Sequence, residues 1–225
     1  MPLAGKGMLL TSMDVDPAYE EEFNRWYDRE HLLERVAIEG FLEARRYVAH
    51  TGHPKYLSLY STETFDVLDS APYRTALENQ TEWSKANIAR FVNMIRAVAR
   101  ITISRGYGRG AALGIIRLRP AADGKETLRS RLQNQLDPGQ RDGIISLHLI
   151  ESDPTLSKPL TNDAAASIPG AGDWYVLIDG TNVDAVSGAI AARFSDTAAF
   201  KPGILVSSGI YRLMWDLTKN DIAPS

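Results

Sequence analysis

The stretch FLEARRYVAHTGHPKYLSLYSTET, Phe41 to Thr64, decides the fold. Each arm carries the β-branched and aromatic residues of a strand, and Gly52-His53-Pro54 between them favours a reversal of the chain. We read it as a hairpin. Upstream, Gly40 stops a helix that runs to about Ile38. That helix opens at Asp16 and Pro17, an N-cap followed by proline at the first helical position. Met8 to Asp14 before it reads as a strand. Downstream, a helical stretch is broken near Pro72 and resumes from a Thr81 cap through Met94, and VARITISRGYG from Val98 is a fourth strand. The order β-α-β-β-α-β is the split βαβ, or ferredoxin-like, plan.

The same order returns after the glycine-rich joint Gly106 to Gly110. LGIIRLRP (Leu113 to Pro120) is followed by a helix over Lys125 to Leu136, then strands GIISLHLIE from Gly143 and WYVLIDG from Trp174. A second helix from Val183 to Phe194 precedes ILVSSGIYRLMWDL from Ile204. Residues 1–110 and 111–225 therefore read as two repeats. GYGRG lies between two strands with no helix N-terminus to cradle a phosphate, so it reads as a link. The long connection from Ser152 to Gly172 has the length of a lid or arm. Bulky groups on both faces of VARITISRG and SGIYRLMW predict helices on one side and a second sheet on the other. The fold class is α+β: two ferredoxin-like repeats whose antiparallel sheets pack face to face into an α+β barrel within one chain.

Composition narrows the function. The 225 residues are 44% hydrophobic with a net charge of -3, and basic residues are mixed with acidic ones along the whole length, which argues against nucleic acid as a partner. The absence of Cys removes disulfides, thiolate metal sites and cysteine nucleophiles. The start MPLAGKGMLLTSMD lacks a signal core, and nothing approaches a membrane span, so the expected location is the cytoplasm. His31 and Glu34 are three residues apart and His50 and His53 share a turn, yet no metal motif forms around them. No metal, haem or other cofactor is expected.

The candidate chemistry lies on the first helix. At about 100° per residue, Tyr19, Phe23, Trp26, Leu33 and Ala37 share one face, with Glu30 among them. A carboxylate there is either paired with Arg45 or Arg46 of the next strand, or is a base in an apolar site. His31 lies around the helix from Glu30, over Tyr27 and toward Arg35; its near-neutral pKa suits proton transfer. Successive strand residues alternate in direction, so Arg46 points opposite to Arg45 and Tyr47, and either arginine could hold an anion or a helix carboxylate. Tyr56, Ser58 and Tyr60 share one strand face. His148, in the apolar strand IISLHLIE, reads as a core histidine.

W-Y-D-R-E-H at Trp26 to His31, G-F-L-E-A-R-R-Y at Gly40 to Tyr47, Y-L-S-L-Y at Tyr56 to Tyr60 and T-E-W at Thr81 to Trp83 resemble the EthD-like branch of the dimeric α+β barrel superfamily. The second half is similar only in element order, so one asymmetric site is expected. The wider superfamily includes cofactor-free monooxygenases, polyketide cyclases, muconolactone isomerases and haem-handling enzymes. The resemblance implies a ligand between the helix pair and the sheet. The expected protein is a cofactor-independent enzyme that moves a proton on an apolar or aromatic acid or enol. In it Glu30 is the base, His31 the proton shuttle, and Arg46 or Arg45 the anion holder; Trp26, Tyr27, Tyr47, Tyr56, Tyr60 and Trp83 contact the substrate. A noncatalytic ligand-binding or assembly protein and a cofactor-free monooxygenase are the alternatives, and a homodimer stays open.

Overall fold

A computed structural model describes residues 3–157, 170–194 and 197–222. The first helix begins where its sequence says: the Asp16 side chain accepts from the Ala18 amide at 2.8 Å and Pro17 opens a short 3-10 turn. It continues as α1 (Glu20–Trp26), a π-helical turn (Tyr27–His31) and α2 (Leu32–Ala37). Around it the first half supplies β1 (Gly7–Asp14), β2 (Phe41–Thr51), β3 (Tyr56–Thr62), α3 (Ala71–Glu78), α4 (Glu82–Ile88) and β4 (Val92–Gly106). The second half supplies β5 (Ala112–Pro120), α5 (Lys125–Gln135), β6 (Ile144–Ser152), β7 (Trp174–Gly180), α6 (Val183–Arg193) and β8 (Gly203–Thr218).

The strands form one closed antiparallel barrel in the order β1-β3-β2-β8-β5-β7-β6-β4. Each half contributes the same local order, β4-β1-β3-β2 and β8-β5-β7-β6. The two sheets meet edge to edge, β2 with β8 and β4 with β6, so closure is by hydrogen-bonded ladders as well as by packing. Every strand has two neighbours, and the edges a lone ferredoxin-like sheet would expose are used up.

Alternation along the strands separates the cores. From β1, Met8 and Leu10 join Tyr47, Leu57, Leu113, Tyr175 and Tyr211 from both halves inside the barrel. Leu9 and Met13 instead pack outward with Phe23, Trp26 and Tyr27 under the first-half helices. A third core lies between β5–β8 and α5 and α6. No helix among the described residues is long and apolar enough to cross a membrane.

Two expectations need correction. The helix read through Met94 ends at Ile88, and β4 starts at Val92, where Asn93 takes a left-handed conformation (φ 53°) and Val92 pairs with Asp14. Leu33 is exposed, as is Ala37, whereas Leu32 and Val36 are fully buried. The π turn explains this: the Leu32 amide bonds to the Tyr27 carbonyl five residues back, one residue is added to the turn, and the buried face shifts by one position. Residues 158–169 of the connection read as a lid lie outside the described residues.

Candidate functional site

A cavity of about 240 Å³ opens between the first-half helices and the outer face of β1, β3 and β4. Tyr27, His31 and Arg35 reach its wall from the π turn and α2, Tyr60 and Thr11 from the sheet, and Tyr73, Leu77, Ile88 and Phe91 from α3, α4 and the loop after it. The one-residue shift in the helix is what brings His31 there. On an uninterrupted α-helix, Glu30 would hold that place.

His31 is 8% exposed and wedged among rings: Trp26 at 4.2 Å between centroids, Tyr27 at 4.9 Å and Tyr60 at 6.4 Å. Among the described residues neither ring nitrogen has a hydrogen-bond partner, and Nδ1 is wholly buried. A neutral imidazole has one donor and one acceptor to satisfy, so both remain for a bound molecule. Burial first, then the Arg35 and Arg46 charges, holds its pKa well below the ordinary histidine value. The ring is therefore uncharged at neutral pH. Burial likewise pushes the Tyr60 hydroxyl well up, keeping it protonated. That hydroxyl, near Tyr27 and Ser58, makes no well-formed hydrogen bond, nor does the buried Thr11 hydroxyl.

Two guanidinium groups share the wall. Arg96 donates to the Leu156 carbonyl and, at 3.4 Å, to the Tyr73 hydroxyl. Arg35 is 5% exposed and makes no ion pair or side-chain hydrogen bond among the described residues. No Asp or Glu lines the cavity.

Of the residues singled out by sequence, Tyr27, His31 and Tyr60 meet at this cavity. Glu30 does not line it. Its carboxylate accepts from Thr81 Oγ1 at 2.6 Å, Ser84 Oγ at 3.1 Å and Trp26 Nε1 at 3.3 Å, tying the π turn to α4. It pairs with neither arginine. Trp26 lies behind His31, bonded also to Ser84 at 3.1 Å, and Trp83 donates to Glu22 at 2.6 Å. Tyr56 is bonded to Glu20.

Arg46 points toward the helices, its guanidinium 4.3 Å from the Tyr27 ring centroid and 3.0 Å from Asp28. Arg45 and Tyr47 point into the barrel. There Arg45 meets Glu43 at 2.9 Å and Asp179 at 3.8 Å, so it is remote in kind from an open site. His148 lies in the same interior network, 3.0 Å from Ser104 and from Ser146. Sequence reading passed over Tyr73, Phe91 and Arg96, and named Arg35 only as a neighbour of His31. Arg35 alone carried a usable signal, its spacing of four from His31.

The corresponding layer of the second half is filled by Leu128, Leu132, Phe194 and Phe200, with a gap of about 10 Å³ beside Phe194. Among the described residues no cluster of His, Asp and Glu could hold a metal ion.

The fold is that of the dimeric α+β barrels, closed within a single chain. It is similar over 98% of its length to 96% of an anthrone oxidase-like protein, with a TM-score of 0.64 at 10% identity. A protein from Fusobacterium nucleatum provisionally called a monooxygenase gives 0.58 at 10% identity, covering 96% of this chain and 95% of that one. One provisionally called a chlorite dismutase gives 0.57 at 12% identity over 98% of both chains. No family model and no curated protein matches the sequence.

Proposed function

We propose that the chain is a small-molecule enzyme that takes a proton from an aromatic enol or from the C–H beside an aryl-fused ketone, with His31 as the base. One observation carries this reading: a buried, uncharged imidazole with neither nitrogen occupied, set in the wall of an aromatic cavity. An apolar cavity of about 150 Å³ already admits benzene, so the space here suits a larger, fused-ring molecule. Burial, and after it the Arg35 and Arg46 charges, makes His31 a weak base; the same charges stabilise the enolate left behind, and the protonated Tyr60 hydroxyl can donate to its oxygen. Returning the proton at another carbon completes an isomerisation; attack of the enolate on a carbonyl of the same molecule completes a cyclisation. In this reading Glu30 is a positioning residue that holds Trp26 against the His31 ring.

The experiment is deuterium exchange at C1 of 2-tetralone, followed by proton NMR. The wild-type chain accelerates exchange and His31→Phe reduces the enzymatic rate by about 10²–10⁴-fold. The rate stays level from about pH 8 to about pH 6.5, because His31 remains neutral throughout. Equal exchange by His31→Phe and wild type would refute the assignment.

The names of two structural neighbours favour cofactor-free oxygenation as a second reading. Here the same enolate carbon gives electrons to O2, a C–O bond forms as a hydroperoxide, and loss of water leaves a carbonyl. Oxygen uptake with anthrone as substrate, lost in His31→Phe, distinguishes it from proton transfer alone.

A further inference from the structure

On the reading that this cavity is the reaction site, we infer that Arg35 is its anion-holding residue and that the natural ligand is a fused-ring aromatic acid or enol bound through an oxyanion. Sequence reading gave that role to Arg45 or Arg46, but the first is paired inside the barrel and the second lies against Asp28 and the Tyr27 ring. Arg35 is nineteen-twentieths buried, lines the cavity, and makes no ion pair within 4 Å and no side-chain hydrogen bond among the described residues, the Glu34 carboxylate acting on it only at longer range. Its nitrogens open onto the cavity rather than being sealed in protein, and its planar fork matches a carboxylate or enolate oxygen.

The electrostatics of the wall agree. It carries two guanidinium groups and no carboxylate, and Arg46 adds a third positive charge that acts on His31 from behind. Arg35 follows His31 by four residues, so both side chains rise from one helix face, and its charge also acts on the Tyr60 hydroxyl. All three line the cavity, the His31 and Tyr60 rings 6.4 Å apart and the Arg35 charge acting on both. An oxyanion placed there meets Arg35, the Tyr60 hydroxyl and the imidazole together, while its rings lie among Tyr27, Tyr73 and Phe91.

The test compares 2-naphthoate with its neutral counterpart 2-naphthamide by isothermal titration calorimetry. Wild type binds the acid at least about 30-fold more tightly than the amide, and Arg35→Met abolishes that preference while leaving amide affinity within about threefold. Arg35→Lys retains part of the preference, since it keeps the charge and loses the fork. Equal affinity of wild type for acid and amide overturns the inference, and that result needs no variant to fold. An unchanged preference in Arg35→Met, lost instead in Arg96→Met, also overturns it. These readouts are independent of turnover: a failed acid preference leaves the His31 exchange result standing, and failed exchange leaves the acid preference standing.

Discussion

Glu30 and His31 are neighbours in sequence, yet the helix gives them different tasks. The carboxylate bridges Trp26, Thr81 and Ser84, and the imidazole reaches the cavity. Glu30→Gln keeps an acceptor but removes the charge from those hydrogen bonds, so a loss of about 1 kcal/mol in urea unfolding is expected. Tetralone exchange should stay within about twofold of wild type; a collapse of exchange at unchanged stability would return the base to Glu30. A second outcome concerns pH. Burial, the largest cause in both cases, lowers the pKa of His31 and of His148. Unfolded histidine binds a proton near pH 6.5 and these folded ones only further down, so below about pH 6.5 the unfolded state carries more protons. Their stabilising contribution is complete above that pH and is lost as pH falls, by up to about 1.4 kcal/mol per unit for each. Urea titrations between about pH 7.5 and 5.5 check this, with His31→Phe expected to reduce the slope.

At the scale of elements, the Asp16-Pro17 start, the Gly40 stop and the hairpin at Gly52 to Pro54 were legible because each rests on local chemistry. The π turn was not. Its single added residue leaves no mark in composition or propensity, yet it decides that Leu32, Arg35 and Val36 rather than Leu33 and Ala37 face inward. A periodicity argument that assumes one uniform helix therefore selects the residue next to the right one. The far end of the same helix is held from the other repeat: Lys219 Nζ donates to the carbonyls of Val36 at 2.9 Å, Ala37 at 2.8 Å and Ile38 at 3.1 Å. Trp215 adds a bond to Asp28 at 2.9 Å. Lys219→Met leaves three helix-end carbonyls without their cation and should cost about 1 kcal/mol, read from the urea midpoint. No change would mean that water replaces the ammonium at no cost.

For the whole molecule, element order and strand alternation were enough to reach a duplicated barrel closed within one chain. Only part of its polar interior was legible: His148 read as a core histidine, but alternation alone does not say which charged strand residues it meets. Glu43, Arg45, His148 and Asp179 converge inside, with Arg109 of the inter-repeat link 2.7 Å from Glu43 and the Gly110 amide 3.3 Å from Asp179. Residues 1–110 and 111–225, which we propose as the two repeats, are thus joined by ladders and by buried charge. Removing the central cation by Arg45→Met leaves Asp179 without a guanidinium and Glu43 with Arg109 alone, and should destabilise the fold by about 3–5 kcal/mol in urea unfolding. A near-neutral result would show that the network is dispensable. The asymmetry between repeats follows the same division: leucines and phenylalanines fill the helical layer of the second, while the first keeps a cavity.

The most direct measurement is a crystal structure of the chain with 2-naphthoate bound. The account predicts the rings among Tyr27, Tyr73 and Phe91, with the carboxylate in hydrogen-bonding contact with Arg35 and one oxygen within reach of the His31 ring. Density for the ligand anywhere else, or in this cavity with its carboxylate turned away from Arg35 and His31, would contradict it.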